Sequence, residues 1–359
     1  MTTRTTDRIP PGSRAADRVS PTGSDRTWAG LIGELLDGRD LDPPDTAGAM
    51  EQLVRGNASP AQVSGFLIAL RAKGETAAEI AGLAAALRGQ ATPVEIPGPT
   101  IDLVGTGGDR LGVVNVSTMA AIVVAATGTT VVKHGGRAAS SPTGGSADLV
   151  EALGVRLDLS PTETARVARE ARITFLFAPQ YNPGLKQVAV VRRELAVPTA
   201  FNVLGPLINP ADPAFGLVGV AAARMQPVIA AVLAERGCTA LVVRGEDGLD
   251  KVTTTGPSRV LVVRDGSVGE VLLDPVSLGL RRSSLDELRD SDAVGVLRRL
   301  LDGVRGPVRD VVLLNAAAAL TTLTGGSLVE QLPLCIERCA EAIDSGAAAA
   351  TVDRWVAVA

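Results

Sequence analysis

Histidine occurs once in this chain of 359 residues, at His134, and tyrosine once, at Tyr181. A single imidazole cannot furnish a His-rich metal centre, and it leaves a Ser–His–Asp hydrolase only one position to be built around. Aromatic residues make up 2% of the chain, too few for a base-stacking platform. The three cysteines (Cys238, Cys335, Cys339) are few and odd in number, so no disulfide framework is implied and a reducing compartment is expected. Cys335 and Cys339 lie one helical turn apart, but no further Cys or His is near them in sequence, so buried free thiols are expected rather than a metal pair. Basic excess is also missing. The formal net charge is −4, which speaks against nucleic acid or an anionic membrane as the main partner. The longest apolar runs, near Met119–Ala126 and Phe215–Ala223, are too short to span a bilayer, and the start of the chain has no apolar core of a signal peptide. The expected location is the cytoplasm.

What is present suits a packed globular protein: 46% hydrophobic and 21% charged residues, over a length that exceeds a usual single core. Residues 1–26 are rich in Arg, Asp, Ser, Thr and Pro without apolar periodicity and read as a disordered tail. Residues 27–93 read as a small helical domain. In it Asp45 or Thr46 caps a helix ending at Gly56, Ser59–Pro60 opens one that stops at Gly74, and Thr76 with Glu79 forms a capping box for the next. From Val94 the pattern changes. Short runs such as Ile101–Val104, Thr130–Val132, Ala240–Val243 and Val260–Val263 read as strands. They alternate with helical stretches at Ser117–Ala126, Ser146–Leu153, Val308–Leu323 and Leu332–Ser345. The expected fold is α/β: a small all-helical domain plus a large domain with a central mixed sheet flanked by helices. Residues 94–186 and 214–359 form the large domain, while 187–213, with an Arg-bearing helix and a proline-rich turn, complete the small one.

Chemistry concentrates in loops that follow expected strands. After the first comes Val104-Gly105-Thr106-Gly107-Gly108-Asp109, then Asn115-Val116-Ser117-Thr118 at the start of a helix. Glycines let backbone N–H groups turn toward an anion, and a helix N-terminus adds the positive end of its dipole. Ser117 and Thr118 offer hydroxyls to phosphate oxygens or a hydrated metal. No lysine follows the glycines as in a Walker A loop, and the spacing is not G-x-G-x-x-G, so an ordinary tight turn is the alternative. A second cluster, Lys133-His134-Gly135-Gly136-Arg137-Ala138-Ala139-Ser140-Ser141, is followed by Thr143-Gly144-Gly145-Ser146. It brings cations, hydroxyls and glycines together as a cradle for a polyphosphate. His134 is either part of that cradle or a hydrogen-bonded structural residue. The third cluster, Arg244-Gly245-Glu246-Asp247-Gly248-Leu249-Asp250-Lys251, offers carboxylates to Mg²⁺, directly or through water, or is a solvated acidic turn.

In this order GTGGD…NxST, KHGxRxxSS, FAP, VRRELxVxTxFNxLGPLxNP and GxDGLD resemble the anthranilate phosphoribosyltransferase family of tryptophan biosynthesis, over about residues 28–356. The resemblance implies a homodimer through the helical domain, with phosphoribosyl pyrophosphate (PRPP) and Mg²⁺ in the cleft between domains. It implies that Gly105, Gly108, Asp109, Val113, Asn115, Val116, Ser117 and Thr118 hold the sugar phosphate and pyrophosphate. Lys133, the loop from His134, Gly135 and Gly136 through Arg137, Ala138, Ala139 and Ser140 to Ser141, and Gly145 complete that group. It assigns Gly105, Gly136 and Arg192 to the acceptor, Arg192 meeting the anthranilate carboxylate. Ser117 belongs to one magnesium position and Asp250 and Lys251 to the second.

Four positions depart from the family pattern. The run Arg110-Leu111-Gly112-Val113 lacks the family threonine, Gly136 replaces an asparagine, Asn182 replaces a histidine, and Lys251 replaces a metal-ligating carboxylate. One Mg²⁺ site is therefore expected and the second is open: the Lys251 ammonium either stands in part for the second metal or points to solvent. The leading function is transfer of phosphoribose to anthranilate. The alternatives are another acidic aromatic or amine acceptor, pyrimidine nucleoside phosphorolysis, or a non-catalytic nucleic-acid-binding relative.

Overall fold

The computed structural model describes residues 26–137 and 144–359; residues 1–25 of the expected tail and Ala138, Ala139, Ser140 and Ser141 of the second loop lie outside the described residues. Arg26, assigned above to the tail, is held in place. Its guanidinium meets Glu34 at 2.6 Å and Asp45 at 3.0 Å, two carboxylates that localise it beyond what the local sequence pattern shows.

Four helices come first: α1 (Trp28–Leu36), α2 (Pro43–Val54), α3 (Pro60–Lys73) and α4 (Ala77–Gln90). The Ser59–Gln62 capping box opens α3 and Gly74, at φ 97°, closes it. Thr76 and Glu79 open α4 in the same way. The start of α2 differs from expectation: Asp42 caps it, accepting from the Asp45 amide at 2.9 Å. Pro43 and Pro44 occupy the first turn, where a residue without N–H loses nothing, so the cap sits ahead of them.

The sheet part begins β1 (Thr100–Gly105), α5 (Val116–Ala126), β2 (Thr130–Gly135), α6 (Ser146–Ala152), α7 (Pro161–Ala171) and β3 (Ile173–Phe177). The chain then leaves the sheet through α8 (Ala178–Tyr181), α9 (Lys186–Leu195) and α10 (Phe201–Leu204). It returns as β4 (Phe215–Gly219), α11 (Met225–Glu235), β5 (Thr239–Gly245), β6 (Ser258–Arg264) and β7 (Ser267–Leu273). Helices α12 (Ala293–Leu301), α13 (Pro307–Thr321), α14 (Leu328–Asp344) and α15 (Ala347–Val358) finish the fold.

The seven strands form one mixed sheet in the order β3-β2-β1-β4-β5-β6-β7. The first five of that order run parallel, and β6 and β7 are antiparallel. Strand order reverses between β1 and β4: the chain first builds outward through β2 and β3, then returns to the other side of β1. Loops leaving the C-terminal ends there part in opposite directions and open a crevice, which is where open α/β sheets bind ligands.

One face of the sheet is covered by α5 and α13, both deeply buried, in a core that also takes up Cys335 and Cys339. Burial pushes the Cys339 thiol up to about 12, so it is inert packing. On the other face Val104, Val218 and Val242 share a core with Phe66 and Leu83 of the helical layer. Val188 and Val191 of α9, and Phe201 and Leu204 at α10, are buried in that same cluster. The excursion between β3 and β4 thus ties the helical layer to the mouth of the crevice.

Candidate active site

The crevice is built on two glycines. Gly105 ends β1, Gly219 ends β4, and the two are paired in register. A Cβ on Gly105 would lie 2.3 Å from a carboxylate oxygen of Asp250, and one on Gly219 would lie 1.6 Å from the Asp250 carbonyl oxygen. The loop after β5 therefore settles directly on the ends of β1 and β4 only because neither has a side chain. Asp250 in turn accepts the Gly107 amide at 2.8 Å, joining the first glycine-rich loop to the third. Asn315 of α13 fixes the next residue but one along the loop: its Oδ1 accepts from Val252 N at 3.0 Å and its Nδ2 donates to Val252 O at 2.7 Å. Neither Gly219 nor Asn315 stands out in the sequence, since their partners lie far along the chain.

Lys251 is buried, which removes the solvent-facing reading. Its Nζ donates to Asp250 Oδ1 at 2.5 Å and to Asp109 Oδ2 at 3.1 Å. Burial alone would lower the ammonium, but Asp250 and Asp109 outweigh it and hold it above the usual lysine range. Burial likewise favours neutral Asp109, and the Lys251 charge overcomes it, so that carboxyl sits below its usual range. Asp250, enclosed on all sides, is pushed up by burial despite Lys251. Both its oxygens nevertheless accept hydrogen bonds, the pattern of an ionised carboxylate. Asp247, the other candidate acid of this loop, accepts from Leu249 N and Thr253 Oγ1 and serves the turn itself.

Lys133 is placed differently from expectation. Its ammonium is 2% exposed and donates to Leu103 O at 2.7 Å, so it acts from beneath the loop instead of at the ligand surface. Its pKa is lowered by burial, opposed by Asp102 and Asp250. Asp102, pushed up to about 6 by burial, accepts from Asn209 Nδ2 at 2.8 Å. The buried His134 ring makes a 3.1 Å hydrogen bond through Nδ1 with Gly205 O, its Nε2 has no partner among the described residues, and burial holds it down at about 4. A neutral, enclosed imidazole at this position is no proton shuttle at neutral pH.

The N-terminus of α5 faces the same crevice. Asn115 occupies the capping position without making a side-chain cap, and its Oδ1 is buried without a partner among the described residues. The Val116 and Thr118 amides donate to Val114 O and Asn115 O, which leaves the amide of half-buried Ser117, with its hydroxyl, as the first-turn donor for an anion. Thr118, Val113 and Val116 are buried, so their side chains pack beneath the site. The approach loop supplies the required curvature through Gly107, Gly108 and Gly112, all at positive φ, and Arg110 at φ 57°. Gly145 opens α6, where its amide donates to Asp148 Oδ2 at 2.6 Å. Arg137, expected at phosphate, donates instead to Asp148 and Glu151, each at 2.8 Å, so its charge is already matched.

In the excursion between β3 and β4, Arg192 of α9 lies over the Phe201 ring, 5.1 Å from its centroid. Burial alone lowers its pKa; no carboxylate among the described residues opposes that shift. A half-buried guanidinium without a counter-ion, stacked on an aromatic face, is suited to an incoming carboxylate. Asn182, after α8, is 4% exposed and neither its Oδ1 nor its Nδ2 has a partner among the described residues. At Gly136 a Cβ would meet nothing within 4 Å among the described residues.

Comparison with known proteins agrees with this layout. The model of the glycosyl transferase family helical bundle domain matches residues 29–91, and that of the family's a/b domain matches residues 97–349. The chain is 52% identical over 347 residues to the anthranilate phosphoribosyltransferase of Arthrobacter sp. (strain FB24), covering 95% of this chain and 98% of that one. Identity to the Thermobifida fusca (strain YX) protein of the same name is 54% over 338 residues, covering 93% and 97%. The crystal structure of anthranilate phosphoribosyltransferase from Thermus thermophilus superposes with a TM-score of 0.85 at 38% identity, over 91% of this chain and 98% of that one. The Saccharomyces cerevisiae enzyme in complex with PRPP and Mg gives 0.84 at 28% identity, over 93% and 98%. The chain belongs to the anthranilate phosphoribosyltransferase family.

Proposed function

We propose that this protein transfers the phosphoribosyl group of PRPP to anthranilate, giving N-(5-phosphoribosyl)anthranilate and pyrophosphate, the second step of the tryptophan branch. The observation that carries the reading is the half-buried Arg192 guanidinium, opposed by no carboxylate among the described residues, in a fold that also offers a glycine loop and an α5 N-terminus without a side-chain cap. The ribose C1–O bond to pyrophosphate breaks, the C1–N bond to the arylamine forms, and the nitrogen sheds its proton to water or to the departing pyrophosphate. Positive charge builds on the ribose and negative charge on the leaving group, so the chain's task is positioning and charge matching. Loop amides and Ser117 hold the leaving group, and Arg192 turns the acceptor by its carboxylate. The neutral arylamine needs no strong base, which agrees with an enclosed His134.

The Ser117 hydroxyl and the unpartnered Asn115 Oδ1 are hard oxygen donors that would hold one Mg²⁺ carried in with PRPP. When bound there it supplies charge neutralisation to the leaving pyrophosphate. The position between Asp109 and Asp250 does not fit a second ion, because Lys251 Nζ lies against both carboxylates. Incubation with PRPP, Mg²⁺ and anthranilate is expected to quench anthranilate fluorescence and release pyrophosphate in equal amounts. Release of pyrophosphate with anthranilate untouched would point to a working donor site with slow hydrolysis or with another acidic aromatic or amine acceptor.

We also place a homodimer contact on the helical layer. Leu36 of α1, Ile68 of α3 and Val190 of α9 are exposed apolar residues on adjoining helices. Sedimentation equilibrium is expected to give twice the monomer mass, and a monomer at micromolar concentration would refute the contact. Among the described residues no helix is long and apolar enough to cross a membrane, and the buried free thiols suit a reducing compartment such as the cytoplasm.

A further inference from the structure

We infer that the donor site works with one divalent cation, and that the Lys251 ammonium supplies, as part of the protein, the positive charge of a second. The inference rests on the phosphoribosyl reading above and concerns how that site is neutralised.

Geometry comes first. Lys251 Nζ contacts carboxylates from two different loops, Asp109 after β1 and Asp250 after β5, and the side chains of all three are at least four-fifths buried. The backbone that carries the ammonium is held on both sides: Asp250 is seated on Gly105 and Gly219, and Asn315 holds both backbone groups of Val252. From that fixed backbone the Lys251 head reaches both acids.

Charge makes the same point. Asp102, Lys133, Asp250, Lys251 and Asp109 form an alternating series running from inside the sheet to the mouth of the crevice. Lys133 feels both Asp102 and Asp250, and Lys251 feels both Asp250 and Asp109. The series sums to −1, so only a small negative residue is left at the mouth. A divalent ion seated between Asp109 and Asp250 would have to displace the ammonium or lie against it, and like charges at contact in a buried site repel strongly. Among the described residues no cluster of three His, Cys, Asp or Glu side chains offers another place for it. A carboxylate at 251 would reverse the balance, turning two acids bridged by a cation into three acids that demand one.

A tethered cation differs from a metal in one measurable way: it cannot be titrated out. Mn²⁺ binding to the full-length protein in saturating PRPP, counted by electron paramagnetic resonance, is expected to show one Mn²⁺ per PRPP bound. The rate is expected to rise hyperbolically with Mg²⁺. Lys251→Glu should bind two Mn²⁺ and show a sigmoidal Mg²⁺ dependence. Lys251→Met should weaken PRPP binding by about tenfold even at saturating Mg²⁺, with no second ion gained. Two Mn²⁺ per site in the unaltered protein would overturn the inference whatever the variants do. So would Lys251→Met with undiminished PRPP affinity. Failure of the unaltered protein to bind PRPP at all would instead remove the phosphoribosyl reading, and this inference with it.

Discussion

Gly219→Ala will lower the stability of the fold by about 3 kcal/mol and weaken PRPP binding. Its added methyl would sit 1.6 Å from the Asp250 carbonyl oxygen and 2.4 Å from its carbon. Both are backbone atoms, and the stretch that carries them is held by Asn315 at Val252, so it cannot move aside as a flexible side chain would. Either β4 shifts at its end or the Asp250–Lys251 loop lifts away from Gly107. The effect should appear as a lower urea midpoint with an unchanged slope, together with a raised dissociation constant for PRPP. Gly269→Ala, on edge strand β7, is the internal control, since a Cβ there has nothing within 4 Å among the described residues. Equal midpoints for Gly219→Ala and the unaltered protein would show that the seat of Asp250 is looser than described.

Arg192→Met should raise KM for anthranilate by about a hundredfold while leaving KM for PRPP nearly unchanged. A pair of charge-assisted hydrogen bonds to a carboxylate supports an effect of that order. The methionine keeps much of the apolar contact with Phe201, so the loss reports the guanidinium and not the packing. Arg192→Lys should recover only part of it, because an ammonium cannot present the planar fork or stack as guanidinium does. Steady-state kinetics with each substrate varied in turn decides the matter. An unchanged KM for anthranilate would place the acceptor elsewhere in the crevice, and equal rises in both KM values would indicate a general loss of structure.

These two residues mark the boundary of what the sequence discloses. Arg192 is visible because it lies in a dense motif, and its chemistry is the same wherever the chain folds it. Gly219 is invisible because its requirement is spatial: it closes a hydrophobic strand whose composition resembles any other. Asn315 is hidden for the same reason, its partner Val252 being 63 residues away. Among the elements, the capping boxes at Ser59–Gln62 and Thr76–Glu79 are legible because the bonds they make span three residues. Strand β7 is not, since Ser267–Glu270 are exposed on an edge and show no apolar alternation.

The sequence by itself determined much of the local structure and the inventory: which segments bend, where the capping boxes at Ser59 and Thr76 open helices, which loops carry glycine, hydroxyl and charge, and that lysine stands at 251. Those follow from backbone freedom and from bonds between near neighbours. Only the tertiary structure decided what the charges do. Whether Lys251 faces water or bridges Asp109 and Asp250, whether Lys133 and His134 reach a ligand or lie buried, and whether Arg137 is free or paired all depend on how β1, β2, β4 and β5 are ordered. Electrostatic energy varies with distance and burial, and neither is a property of a residue until the chain has folded.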